Sequence, residues 1–164
     1  MKRGNPKKIA SLVDLARPGV RFVNRQRDSG SRIEFDQLLA GAGIEPARID
    51  GYLNEEHTHL AVAATIAGGM ADAGFGIKAA AARYELDYLP LLTERYYLAC
   101  REDAMEQPEL KEFLAILRGH EFRDILRKLP GYGDGITGAV FGVAEALANA
   151  EPKPRPAGRA ARVQ

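Results

Sequence analysis

The 164-residue sequence has a single cysteine, Cys100, and no tryptophan. One cysteine cannot form an internal disulfide, so nothing in the sequence requires an oxidising compartment. No apolar run approaches the roughly 18 residues that a membrane-spanning helix needs, and the basic first residues are not followed by the apolar core of a secretory signal. We therefore expect a cytoplasmic protein that has no membrane partner.

Motifs of common enzyme active sites are also missing. The sequence has no Gly-x-Ser-x-Gly turn and no Walker A loop, and Cys and His residues do not occur at metal-ligand spacing. His57 and His59 lie too close together to ligate one ion from a single helix face. The sequence therefore predicts a protein that is not an enzyme and holds neither a cofactor nor a metal.

Composition is that of a one-domain globular protein, with 46% apolar and 27% charged residues. The net charge of +1 is unevenly distributed, because residues 1–8 and 151–164 together carry eight basic residues and one acidic residue. The body between them is therefore acidic, whereas a nucleic-acid-binding fold normally presents a basic face. We expect no direct contact with nucleic acid. Residues 151–164, with three prolines and few apolar side chains, are expected to form a disordered basic tail.

Apolar spacing and turn residues predict short helices alternating with strands. The predicted helices cover residues 6–16, 30–41, 60–67, 78–84, 108–117, 121–129 and 136–150. The predicted strands cover residues 20–24, 71–77, 86–91 and 95–100. This order is typical of an α/β fold with a mostly parallel sheet flanked by helices, in which ligands bind at the carboxyl ends of the strands.

Residues 22–32 (FVNRQRDSGSR) are the most informative stretch. A predicted strand ends in polar residues, turns at Ser29-Gly30-Ser31 and leads directly into a predicted helix. The first turn of a helix has unpaired N–H donors and a partial positive charge, so a small anion is its natural ligand. The pattern therefore favours a receptor for an oxyanion.

Two interpretations of the residues in this turn remain open. Arg25 is either a charge-assisted contact to the anion or the partner of Asp28 or Glu34 in an ion pair. Ser29 and Ser31 are either ligand contacts or helix caps that serve only the backbone. Gly30 either lets a ligand approach the backbone closely or is simply a turn residue.

Three further side chains near these turns have competing interpretations. Thr58 is either the cap of the next helix or a second hydroxyl lining the same site. Arg27 and Arg32 are expected to be solvated rather than to contact a ligand.

Several segments, in this order and spacing, resemble the periplasmic-binding-protein-like (PBP-like) domain related to molybdate and tungstate receptors. The resemblance covers roughly residues 5 to 133. Its quoted segments are 9–16 (IASLVDLA), 20–25 (VRFVNR), 28–31 (DSGS), 58–64 (THLAVAA), 71–77 (ADAGFGI) and 113–132.

The resemblance implies a type 2 PBP-like fold of two α/β lobes with a substrate-binding cleft between them. It implies that Arg25 and, six residues later, the hydroxyl of Ser31 contact a molybdate or tungstate ion. The chain resembles the second lobe, so residues 1–133 are expected to form one binding lobe without the first. Residues 134–150 would add a C-terminal helix before the tail.

The resemblance also leaves an alternative function open. Related domains occur joined to a molybdopterin-biosynthesis domain or to a helix-turn-helix regulator. The chain would then be a regulatory or interaction module that needs a partner lobe or self-association to complete its cleft. An enzymatic role in molybdopterin assembly would rest on this domain association alone.

Overall fold

The computed structural model describes residues 1–150, and the side chains of residues 1–148. Its helices and strands are, in chain order, β1 (Phe22–Arg25), α1 (Gly30–Gly41), β2 (Glu55–Glu56), α2 (His59–Ala67), β3 (Ala73–Gly74), α3 (Lys78–Arg83), α4 (Pro108–Arg118), α5 (His120–Lys128) and α6 (Val143–Ala150). Short 3-10 helices lie at Leu12–Ala16, Pro46–Arg48 and Glu102–Glu106. Within this described part, no helix combines the length and apolarity needed to cross a bilayer.

The sheet has three parallel strands in the order β2-β1-β3. Asn24 pairs with Glu55 on one side of β1, and Phe22 pairs with Ala73 on the other. All four residues of β1 are buried because this strand is central. The predicted α/β fold with a parallel sheet flanked by helices is confirmed.

Alternate side chains of β1 point to opposite faces of the sheet, and each face packs against a different helix. Phe22 packs with Phe35 of α1, with ring centroids 4.9 Å apart. Val23 packs on the other face with Val62 and Ile66 of α2. Helices α1 and α2 therefore cover the two faces, and both begin at the carboxyl edge of the sheet.

An ion pair joins the amino ends of β1 and β3. The Arg21 guanidinium binds the Asp72 carboxylate, with Nη2 3.2 Å from Oδ1, and the Arg21 amide donates to Oδ2 at 2.9 Å. Burial by itself would raise the pKa of Asp72, but these hydrogen bonds and the charge of Arg21 outweigh burial and lower it. The turns that lead into α1 and α2 lie at the opposite, carboxyl edge of the sheet.

The predicted helix over residues 30–41 is confirmed with the same bounds. The Ser29 hydroxyl caps it by accepting from the Arg32 amide. The predicted helix over 60–67 is confirmed from His59, capped by Thr58 in the same way.

The prediction of a helix over residues 6–16 is wrong, since only Leu12–Ala16 forms a short 3-10 helix. The Asn5 side chain donates to the Ile9 carbonyl and accepts from the Ile9 amide, so it takes the hydrogen bonds that a helix would use. Lys8 has a φ of 52°, which also interrupts a right-handed helix.

The predicted strands over 86–91 and 95–100 are also wrong, because residues 86–100 contain no strand. Their apolar and aromatic side chains suit a strand, but a strand forms only where a neighbour pairs with its backbone. The predicted strand over 71–77 shortens to Ala73–Gly74, the length that pairs with β1. The helix predicted over 136–150 begins only at Val143, after Gly138 with its φ of 76°.

The chain divides into two compact units. The first comprises Met1–Leu92 and Asp124–Gly133, and the second comprises Thr93–Arg123 and, within the described chain, residues 134–150. The first unit contains the sheet and every buried residue of the described chain. The domain boundaries predicted at residues 133 and 150 stay predictions, and the predicted disordered tail at 151–164 lies outside the described residues.

Gly74 provides a test of how closely β3 packs. A methyl group added there would lie 2.6 Å from Val62 Cγ1 and 2.8 Å from the Val23 carbonyl oxygen. We expect Gly74→Ala to lower the free energy of unfolding by about 1–3 kcal/mol through overpacking, measured by urea denaturation. The control is Gly41→Ala, where the methyl group meets open space. Equal stability of the two variants would contradict the described packing.

Candidate ligand-binding site

Two helix N-termini lie side by side at the carboxyl edge of the sheet. Strand β1 leads through residues 26–29 into α1, and β2 leads through His57 and Thr58 into α2. Because Arg25 and Glu56 are paired at the ends of these neighbouring strands, the two turns start together. Both turns present helix N-terminal amides at this edge, an arrangement suited to an anion.

Arg25 is a buried cation at this edge. The residue is 9% exposed, with Nε donating to Gln26 Oε1 at 3.2 Å and Nη2 donating to the His57 carbonyl at 3.1 Å. Both acceptors are uncharged. No ion pair joins Arg25 to a carboxylate within residues 1–148. A guanidinium stays ionised in proteins, and a buried charge needs a counter-charge, so the geometry favours binding of an anion.

Arg32 is also buried, at 4% exposed, but it has two counter-charges. Its Nε donates to both carboxylate oxygens of Asp36 at 3.1 Å, and its Nη1 donates to Glu55 Oε1 at 3.0 Å. The guanidinium also stacks over the Tyr52 ring, 4.2 Å from its centroid. The prediction that Arg32 is solvated is therefore wrong, because Asp36 lies one helical turn away and β2 brings Glu55 close. Arg27 is solvated as predicted, with a side chain 74% exposed, and its Nε lies 3.7 Å from Glu55 Oε1.

The two capping hydroxyls are engaged with the backbone. Ser29 Oγ accepts from the Arg32 amide at 3.2 Å and donates its hydrogen to the Gln26 carbonyl at 2.9 Å. Thr58 Oγ1 accepts from the Ala61 amide at 3.0 Å and lies at an exposed position. The structure thus places both hydroxyls as caps, and their contact with a ligand stays a prediction.

Gly30 is the first residue of α1 and is exposed. A methyl group added there would meet no heavy atom within 4 Å. Packing therefore does not require glycine at this position, and the space beside the backbone is open. Its role in close approach of a ligand stays a prediction.

Ser31 lies next to a residue that the sequence analysis did not assign to the ligand site. Its Oγ is 3.5 Å from Nε2 of His59, the first residue of α2. The His59 ring is half-buried, and burial first and the charge of Arg25 second lower its pKa. His59 therefore interacts with both predicted ligand contacts, through the short distance to Ser31 Oγ and through the charge of Arg25. The only signal in the sequence was its place just after the Thr58 cap.

The described residues hold no cluster of three His, Cys, Asp or Glu side chains that could bind a metal ion. Gly133, Gly135 and Gly138 form a Gly-x-Gly-x-x-Gly pattern, but it follows helix α5. A dinucleotide fingerprint instead joins a strand to a helix, so this pattern does not indicate a nucleotide site.

The fold and this edge define a parallel α/β ligand-binding lobe. The model of the PBP superfamily domain matches residues 1–118, and the chain belongs to this family. Domains of this class typically bind ligands rather than catalyse reactions.

Two curated relatives match most of the chain. The uncharacterized protein YvgK of Bacillus subtilis (strain 168) is 34% identical over 141 residues, which are 86% of this chain and 45% of that protein. The chain thus spans under half the length of this relative. An uncharacterized protein in the ferredoxin 2Fe-2S gene 5' region of Clostridium pasteurianum is 36% identical over 109 residues, 66% of this chain and 96% of that protein. No solved structure matches.

The difference between the two buried arginines can be measured. Arg32→Gln leaves Asp36 without its cation and Glu55 with only the more distant Arg27, so we expect the free energy of unfolding to fall by about 2–4 kcal/mol. Arg25→Gln removes a buried charge that has no carboxylate partner, so we expect a smaller loss or a gain. Urea denaturation in an anion-poor buffer measures both. An Arg25→Gln loss as large as that of Arg32→Gln would contradict the assignment of Arg25 as uncompensated.

His59 predicts a pH dependence of stability. Its pKa in the folded protein lies below the ordinary value of 6.5, so the unfolded chain takes up the proton first as the pH falls. Stability should therefore decrease as pH falls from about 6.5 to the folded-state pKa and then level off. His59→Gln should remove this part of the profile, measured as unfolding free energy against pH. The exposed His57 serves as control, and loss of the same slope in His57→Gln would contradict the assignment.

Proposed function

We propose that the chain is a non-catalytic module that binds a small oxyanion such as molybdate or tungstate. The observation that carries the proposal is the buried Arg25 guanidinium, which has only neutral acceptors in the described residues. An oxyanion would supply the missing negative charge and accept from the free guanidinium donors.

The neighbouring groups support an anion of small size. The amides at the start of α1 and α2 supply partial positive charge, and the Ser31 hydroxyl adds a neutral donor. The Arg25 cation balances part of the charge of a divalent oxyanion, and hydrogen bonds from the neutral donors stabilise the remaining charge. The molybdate and tungstate preference comes from the resemblance of residues 20–31 to receptors for those ions.

Thermal unfolding with added anions tests the proposal. A ligand at 100 times its dissociation constant stabilises a protein by about 2.7 kcal/mol, which gives a clear rise in Tm. We expect tungstate or molybdate to produce this rise, and Arg25→Gln combined with Ser31→Ala to abolish it. Sulfate and phosphate, run in parallel, show whether the site selects among tetrahedral oxyanions.

The matched control is Arg27→Gln, which removes the same charge from the same turn at a side chain that is 74% exposed. This variant should keep the shift in Tm. An absent shift at millimolar anion, or a shift abolished equally by Arg27→Gln, would contradict the proposal.

A second candidate function is a regulatory or interaction module that needs a partner lobe. One observation favours it: residues 93–148 include no buried side chain, and Val143, Leu147 and Ile116 are 75%, 66% and 56% exposed. These exposed apolar side chains are available to a partner, whose binding would remove them from water. Light scattering gives the oligomeric state of the purified chain, and tungstate titration of the same sample gives its affinity. A monomer that binds tungstate with full affinity would contradict the need for a partner lobe.

A further inference from the structure

The unassigned group closest to the proposed site is the His59 imidazole. Its Nε2 faces Ser31 Oγ at 3.5 Å, the long limit of a hydrogen bond, and such contacts in ligand-free sites often shorten when the ligand binds. Its Nδ1 is buried and has no hydrogen-bond partner among the described residues. The two ring nitrogens therefore have different surroundings.

The surroundings of Nδ1 decide which nitrogen carries the proton. On that side the ring faces Gly76, where an added methyl group would lie 3.3 Å from Nδ1. A buried N–H donor without an acceptor is rarer in folded proteins than a buried acceptor that lacks a donor. The neutral ring therefore favours a bare Nδ1 and a proton on Nε2.

The charged and polar groups around the ring favour the neutral form. Strand β1 contributes the Arg25 cation, α1 contributes the uncharged Ser31, and the segment after β3 contributes Gly76, which does not titrate. No carboxylate forms an ion pair with His59 in residues 1–148. The pKa of His59 is lowered accordingly, first by burial and then by Arg25.

We propose that His59 is a positioning residue that donates from Nε2–H to Ser31 Oγ and so directs the Ser31 hydroxyl hydrogen toward the bound oxyanion. A hydroxyl has one hydrogen, so a Ser31 that donated to His59 would turn only lone pairs to the anion. The direction of this hydrogen bond thus decides whether Ser31 attracts or repels the ligand. The inference rests on the proposed oxyanion site.

The consequence for ligand class follows from the same hydrogen-bond chain. Arg25, Ser31 and the helix amides would all present donors, and no carboxylate of residues 1–148 forms an ion pair with Arg25. Such a donor set favours a fully deprotonated oxyanion, because an O–H group on the ligand would find no acceptor. Tungstate, molybdate and sulfate should bind more tightly than hydrogen phosphate.

The tautomer is measured directly on the ligand-free full chain by long-range ¹H–¹⁵N correlation of the histidine rings. The chain has three histidines, and the spectrum of His59→Gln assigns the His59 signals. We expect a protonated Nε2 and a bare Nδ1 at pH 7. A proton on Nδ1 instead, or on both nitrogens, would overturn the inference.

Tungstate titration tests the role in binding. Glutamine places an amide nitrogen near the position of Nε2, whereas asparagine is shorter and reaches only the position of Nδ1. His59→Asn and Ser31→Ala should each weaken tungstate binding about 10- to 100-fold, the loss expected for one hydrogen bond to a charged group. His59→Gln should stay near wild type.

The double variant separates positioning from a direct contact. If His59 acts through Ser31, then His59→Asn in the Ser31→Ala background should cost no further affinity. Additive losses, or equal losses in the asparagine and glutamine variants, would overturn the inference. If His59→Asn fails to fold, as judged by its Tm without anion, the tautomer measurement decides.

Failure of the inference and failure of the proposed function give different results. Wild-type protein that does not bind tungstate, molybdate or sulfate contradicts the proposed oxyanion site, whatever the tautomer of His59. Tight tungstate binding combined with a proton on Nδ1 contradicts only the role of His59. Hydrogen phosphate binding as tight as sulfate would contradict the all-donor character of the site.

Discussion

A buried guanidinium, Arg25, that has no carboxylate partner within residues 1–148 is the constraint around which the carboxyl edge of this sheet is organised. Arg25 ends the central strand, so its side chain enters the face of the sheet that α2 covers. Among the described residues, the Arg25 guanidinium donates to the Gln26 side chain and the His57 carbonyl and forms no ion pair. Leaving a cation in this state is unfavourable unless an anion binds there, which gives the edge its proposed function.

The neighbouring Arg32 is a buried arginine with a structural role in the same fold. It is held by Asp36 and Glu55 and covered by Tyr52, so its charge is already balanced. The two arginines are only seven residues apart and both are buried. Burial therefore does not distinguish the two residues, but their partners do. Arg25 is a candidate ligand contact, whereas Arg32 joins α1 to β2 through ion pairs.

Much of this edge could be predicted from local sequence. The Ser29 and Thr58 caps and the apolar spacing after them place α1 and α2, because helix starts depend on residues that are neighbours in the chain. The position of Arg25 at the end of a strand could also be predicted from residues that are its neighbours in the chain. The resemblance to PBP-like domains also pointed to this lobe, and the family match confirms that domain class.

What the sequence could not supply depends on contacts between distant residues. The strands expected after residue 86 are missing from the described chain because β pairing needs a neighbour that a local pattern does not reveal. Arg32 was misjudged because Glu55 reaches it from another strand. His59 was overlooked because only the register of β1 and β2 brings α2 beside Ser31.

The most direct test of the central claim is to locate an anion in a crystal of the full chain grown with tungstate, using the anomalous scattering of tungsten. We expect one strong peak within hydrogen-bond reach of the Arg25 guanidinium and Ser31 Oγ, between the first turns of α1 and α2. Peaks confined to exposed lysines and arginines, with none beside Arg25, would contradict it.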